Sequence, residues 1–114
     1  MKIYISGPIT GVDGYMERFN RAEEALKAEG HTVVNPAKVN SALPEGTTHE
    51  EYMKTSIAML EMCDCIFMLE GWNKSEGCKI EFKYACEHRI TIAFEGGCSK
   101  HQSKLKRLVG KLKK

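Results

Sequence analysis

A chain of 114 residues with 42% apolar content can fill one compact core and is too short for two. No apolar run reaches the length of a membrane span, and the chain opens on a strand pattern, not on a basic segment with a long apolar stretch, so no secretory leader is expected. The net charge of +2 is unevenly spread: residues 1–94 carry ten Lys and Arg against fourteen Asp and Glu, whereas residues 95–114 carry seven against Glu95 alone. The cysteines are Cys63, Cys65, Cys78, Cys86 and Cys98, an odd number with three in apolar contexts. A disulfide framework is not expected, and a reducing, cytoplasmic setting is.

In chain order, residues 2–6 (K-I-Y-I-S) form a short β-rich run, and Gly7, Pro8, Gly11 and Gly14 then mark a loop. Tyr15, Met16, Phe19, Ala22, Ala25, Leu26 and Ala28 recur at helical spacing and predict a helix over 15–29, stopped by Gly30. Residues 32–34 read as a second strand that Asn35-Pro36 ends, with a polar loop to about Thr48. Thr48 followed by Glu51 is a capping-box signature and predicts a helix to about Met62. Residues 64–69 read as a third strand, Ser75 as the cap of a helix to about His88, and residues 90–94 as a fourth strand. Residues 95–100 are irregular, and Leu105, Leu108, Val109 and Leu112 give the rest an amphipathic helical pattern weakened by Gly110. The expected organisation is an α/β domain over 1–98 and a basic tail helix over 99–114.

Strands alternating with helices predict a parallel sheet with helices on both faces. A strand order 2-1-3-4 puts the switch point between the first and third strands, where ligands bind in such sheets. Two loops would face each other there. The first, Ser6-Gly7-Pro8-Ile9-Thr10-Gly11, can bring backbone N–H groups to an anion, or can be an ordinary tight turn; it is neither a Walker A nor a dinucleotide loop. The second, G-W-N-K-S-E-G-C-K-I-E, runs from Gly71 and places Gly77 and Glu81 on one helix face, with open space above the carboxylate. Glu81 as a plain solvated helix residue is the competing reading, against which stand its apolar neighbours Ile80, Phe82 and Tyr84. Asp64, at the start of a buried strand, reads as a structural brace.

These segments (M-K-I-Y-I-S-G-P-I-T-G, then N-P-A, then C-D-C-I-F-M-L-E-G-W-N-K-S-E-G-C-K-I-E) together resemble the nucleoside 2-deoxyribosyltransferase-like superfamily over about residues 1–94. The nearest likeness is to a bacterial and phage subgroup marked by S-G-P-I-T-G and G-W-x-x-S-x-G-x-x-x-E, related to 2'-deoxynucleoside 5'-monophosphate N-glycosidases. The resemblance implies a flavodoxin-like three-layer sandwich and cleavage of the bond between a deoxyribose and its base. It makes Glu81 the nucleophile that attacks the anomeric carbon and forms a covalent glycosyl ester, as in retaining glycosidases. It assigns Ser6, Gly7, Pro8, Ile9, Thr10 and Gly11 to a sugar or phosphate loop, and Ser75 and Gly77 to the same ligand. Trp72 is a candidate to stack on a base or to pack in the core. The sequence departs from better-known relatives in two places. Their second catalytic carboxylate falls near Ser56, and their loop serine and arginine fall at Pro8 and Thr10. Asp13 and Glu70 are the substitute candidates for the acid.

Cys63, Cys65 and Cys78 with His49 or His88 suggest a metal, but C-x-C is not a zinc-ribbon spacing, and buried structural thiols on one strand face are the better reading. No metal or organic cofactor is required. The expected partners are a deoxynucleoside or deoxynucleotide substrate and a second copy of the chain, as in relatives, with no membrane. The basic tail lacks interleaved aromatics, so nucleic acid is not the expected partner. The leading function is N-glycosidase or deoxyribosyltransferase, with hydrolysis ahead of transfer because a short chain encloses the site poorly. The alternatives are a module that binds a nucleotide or nucleotide-derived signal without cleaving it, and an interaction protein using its tail.

Overall fold

The computed structural model describes residues 1–96, so the expected tail helix and the boundary at residues 98 and 99 lie outside the described residues. Strands β1 (Lys2–Ser6), β2 (Thr32–Val34), β3 (Cys65–Met68) and β4 (Thr91–Phe94) form one sheet in the order β2-β1-β3-β4. All three pairings are parallel, with Ile3 opposite Val33 and Cys65, and Cys65 opposite Thr91. The α/β architecture and strand order are those the alternating pattern predicts. Asp64 braces the sheet's lower edge, its Oδ2 accepting from the Lys2 N–H at 3.0 Å.

The period-2 alternation of β1 divides the core. Ile3 and Ile5 point to α1 (Tyr15–Ala28) and join Phe19, Ala22 and Leu26 in one apolar cluster. Tyr4 points the other way, into a cluster with Met59, Leu60, Cys78 and Ala85, contributed by α3 (His49–Leu60) and α4 (Glu76–Glu87). Cys65 lies in the first cluster and Cys63 in the second. The expectation that the two thiols share a strand face is therefore corrected. Cys63 precedes β3, in a turn where its N–H donates to the Leu60 carbonyl at 2.9 Å, so strand alternation does not reach it.

The predicted loop after Val34 contains a short helix, α2 (Pro36–Asn40). Asn35 both ends β2 and starts α2. Its Oδ1 accepts from the Ala37 and Lys38 N–H groups at 3.1 and 3.3 Å, and Pro36 supplies a pre-set φ where no N–H is needed. The Asn35 Nδ2 donates to Asn20 Oδ1 at 3.1 Å and to Glu23 Oε1 at 3.0 Å, which ties α2 to α1. The Lys27 ammonium, helped by Asn35 and Lys38, holds the Glu23 carboxyl down to about 2. α3 opens on the expected capping box between Thr48 and Glu51. The loop after β3 makes one 3-10 turn, Trp72–Lys74, before Ser75 caps α4 by accepting from the Cys78 N–H at 3.3 Å.

Gly7 marks a close approach: a Cβ there would lie 2.6 Å from Leu69 Cδ1, so a side chain would push the first loop off the end of β3. Asn35→Ala removes the α2 cap and leaves Glu23 short of a buried donor. It is expected to lower unfolding free energy by about 2 kcal/mol in urea titration.

Candidate active site

Glu81 is buried, with 6% relative exposure, on the inward face of α4. Two side chains of β1 reach its carboxylate. The Tyr4 hydroxyl donates to Oε2, and the Ser6 hydroxyl donates to Oε1 at 2.6 Å. Residues 4 and 6 meet the same carboxylate because alternate residues of a strand share a face. The pair needs the central position of β1, flanked by β2 and β3, and the docking of α4 across that face. Burial pushes the Glu81 carboxyl up to about 7, and the hydroxyls of Ser6 and Tyr4 offset part of that shift. Burial, then the adjacent Glu81 charge, hold the Tyr4 phenol well above its ordinary range. Tyr4 is thus a fixed hydrogen-bond donor.

This carboxylate lines a cavity of about 310 Å³, within the range of small-molecule sites. Two helices supply facing stripes. On α3 the lining residues are His49, Tyr52, Met53 and Ser56, spaced i, i+3, i+4, i+7, a single helix face. On α4 they are Gly77, Cys78 and Glu81. A third wall comes from Pro36, Ala37 and Asn40 of α2, and a fourth from Tyr15 and Phe19 of α1. The stripes come close at Gly77, where a Cβ would lie 3.3 Å from Met53 Sδ, 3.8 Å from His49 Cε1 and 3.9 Å from Ser75 Oγ. Ser56 is buried at the other end of its stripe, beside the Tyr4 oxygen, with the Asn40 Nδ2 donating to its Oγ at 3.3 Å.

Of the residues singled out in the sequence, Gly7, Ile9, Thr10, Ser75, Gly77 and Glu81 line this cavity, and Ser6 lies beneath it on Glu81. Pro8, Gly11, Asp13, Glu70 and Trp72 are not among its lining residues. Asp13 is exposed. Glu70 is exposed at the end of β3, where its N–H donates to Glu95 Oε1 at 2.9 Å and its carbonyl accepts from Arg18. Trp72 stacks on Phe82 with ring centroids 4.6 Å apart and leans on Phe94 at 5.8 Å, the core-packing half of its two readings. Sequence reasoning missed Tyr4, His49, Tyr52 and Asn40. The first was legible as the partner of Ser6 at spacing two. His49 and Tyr52 were legible as one stripe with Ser56. Asn40 sits on α2, where the sequence pattern predicts a loop.

The cavity's polar groups are suited to a nucleophile: a carboxylate near its titration point, held by two neutral donors and open to a ligand. Burial raises the Cys78 thiol, leaving it a poor ligand or nucleophile, and pushes Cys65 up to about 12. Among the described residues no three His, Cys, Asp or Glu side chains gather as a metal site, and no helix is long and apolar enough to cross a membrane.

No curated protein matches the sequence. Among solved structures, a 2-deoxyribosyltransferase from the psychrotolerant bacterium Bacillus psychrosaccharolyticus is similar, with a TM-score of 0.67 and 19% identity over 82% of this chain and 71% of that one. At that identity the likeness is one of fold, and it agrees with the parallel sheet ordered 2-1-3-4. A family profile described as "Domain of unknown function (DUF4406)" matches residues 1–94, which span all four strands and the whole of the candidate site. The chain belongs to that domain family.

Proposed function

We propose that the protein cleaves the N-glycosidic bond of a 2'-deoxynucleoside or 2'-deoxynucleoside 5'-monophosphate through a covalent glycosyl ester on Glu81. Water or a second base then takes the sugar. The observation that carries this reading is the Glu81 carboxylate, buried at the wall of a cavity of about 310 Å³ and held through both oxygens by Tyr4 and Ser6. The fold likeness to a deoxyribosyltransferase supports it. In this mechanism one carboxylate oxygen attacks the anomeric carbon as the base departs, through an oxocarbenium-like transition state. Tyr4 and Ser6 fix the carboxylate's orientation without an ion pair, which keeps it more basic than a salt-bridged acid. Among the described residues no Lys or Arg lines the cavity, and Arg18 is taken up by Glu95 at 3.0 Å; this favours the nucleoside over its monophosphate. Ser56, at the position where the resemblance puts an acid, is the feature that favours a binding module.

One assay separates the two readings. The protein is incubated with each deoxynucleoside and deoxynucleoside monophosphate, with and without a second free base, and released or exchanged base is measured by chromatography. Turnover is expected, and Glu81→Gln is expected to lower it by on the order of 10³-fold or more. Binding without turnover of any substrate would favour the module.

The nucleophile must be ionised, so the acid limb of kcat/KM is expected to rise about tenfold per pH unit up to about 7. Tyr4→Phe removes a bond to the charged form and should move this limb to higher pH, read from the same profile.

The same shift acts on stability. Glu81 titrates near 4.5 when unfolded and at about 7 when folded, so between those values the folded chain holds a proton that the unfolded chain has lost. Stability therefore falls as pH rises through that window, by on the order of 3 kcal/mol in all. Glu81→Gln is expected to be more stable than the parent at pH 8 and no more stable at pH 4.5, measured by urea titration at both.

A further inference from the structure

Departure of a base from C1' needs a proton, and Asp13 and Glu70, the two acids considered from the sequence, are not among the cavity's lining residues. Besides Glu81, the lining groups with an exchangeable proton are hydroxyls, phenols, the Cys78 thiol, whose proton is held more tightly by burial, and one imidazole, His49. An imidazole is the side chain that exchanges a proton near neutral pH. We propose that His49 is the catalytic acid that protonates a departing purine at N7, so that the substrate base is a purine. This rests on the glycosidic reading of Glu81.

The geometry is that of two facing helices. The capping box of Thr48 and Glu51 sets the start of α3, and His49 is its first residue. Its ring reaches across to α4, where Cε1 would lie 3.8 Å from a Cβ on Gly77. Glu81 Oε2 accepts from Tyr4, whose oxygen lies beside Ser56, and Ser56 is seven residues along α3 from His49, so donor and nucleophile stand at opposite ends of the stripe, about 10 Å apart along the helix. A side chain at Gly77 would press on Met53, whose Sδ lies 3.3 Å from the Cβ position, so glycine lets α3 and α4 close here and brings the His49 ring to α4. Among the described residues none hydrogen-bonds the His49 ring, which leaves its nitrogens to a ligand. A donor standing off from the nucleophile by this much suits a proton acceptor remote from C1'. N7 of a purine lies across the five-membered ring from C1', whereas O2 of a pyrimidine lies beside it.

The step balances. A Glu81 oxygen forms a bond to C1', and the C1'–N9 bond breaks with its electron pair passing to the base. The imidazolium N–H gives its proton to N7, leaving a neutral base and a neutral imidazole. Water then attacks C1', the ester bond breaks with its pair returning to the carboxylate, and the imidazole takes the water's proton.

The test compares 2'-deoxyguanosine with 7-methyl-2'-deoxyguanosine, whose cationic base departs without a proton. His49→Gln is expected to lower kcat/KM by on the order of 100-fold on the first substrate and by less than about threefold on the second. Retained turnover of the methylated substrate also shows that the variant is folded. Equal losses on both substrates, or no loss on either, would overturn the assignment to His49 and leave Glu81 standing. So would a parent protein that cleaves only pyrimidine deoxynucleosides. A parent that cleaves no deoxynucleoside and no deoxynucleoside monophosphate would overturn the glycosidic reading and this one together.

Discussion

The structure turns on one carboxylate kept out of water with only neutral partners. An unpaired buried carboxylate is costly, and the usual remedy is a cation beside it. A lysine or arginine would hold Glu81 ionised but would also make it a weaker base. Two hydroxyls satisfy both oxygens and leave the titration point at about 7. For that to happen, residues 4 and 6 must share a face, β1 must sit inside the sheet, and α4 must dock squarely on it. The parallel order β2-β1-β3-β4 and the Ser75 cap of α4 meet those needs.

A second buried acid illustrates the opposite solution. Glu23 lies on the far face of the sheet and is bonded by Lys27, Lys38 and Asn35. Its carboxyl is held down to about 2, so it stays charged at every ordinary pH. Its work is mechanical: it fastens α1 to the cap of α2 and so fixes the wall that carries Pro36, Ala37 and Asn40. One chain thus holds two little-exposed glutamates set far apart in acidity, Glu81 raised by burial and Glu23 lowered chiefly by Lys27.

Much of this was legible in the residues. Alternation of strand and helix patterns gave the topology, and the switch point directed attention to the two loops that flank the cavity. Glu81 stood out because Gly77 lies one turn before it. What was hidden depends on contacts distant in sequence. Tyr4 meets Glu81 across 77 positions, and nothing local distinguishes that tyrosine from a core residue. α2 reads as loop in the sequence because its helix has only five residues, too few for periodicity to show, although Asn-Pro is a proper start signal. His49 reads from the sequence as a metal ligand, because its place on one cavity stripe with Tyr52, Met53 and Ser56 depends on which face α3 turns inward.

The walls of the cavity come from β1, the first loop, α1, α2, α3 and α4 together. None of β1, α1, α2, α3 and α4 can move away without taking a wall of the cavity with it. An occupant would therefore stabilise the folded domain as a whole by mass action, and not one lobe of it. Slowing of amide hydrogen exchange on ligand binding would spread through the sheet and all four helices, so that the degree of protection at a remote strand such as β2 becomes a gauge of how firmly the cavity is filled.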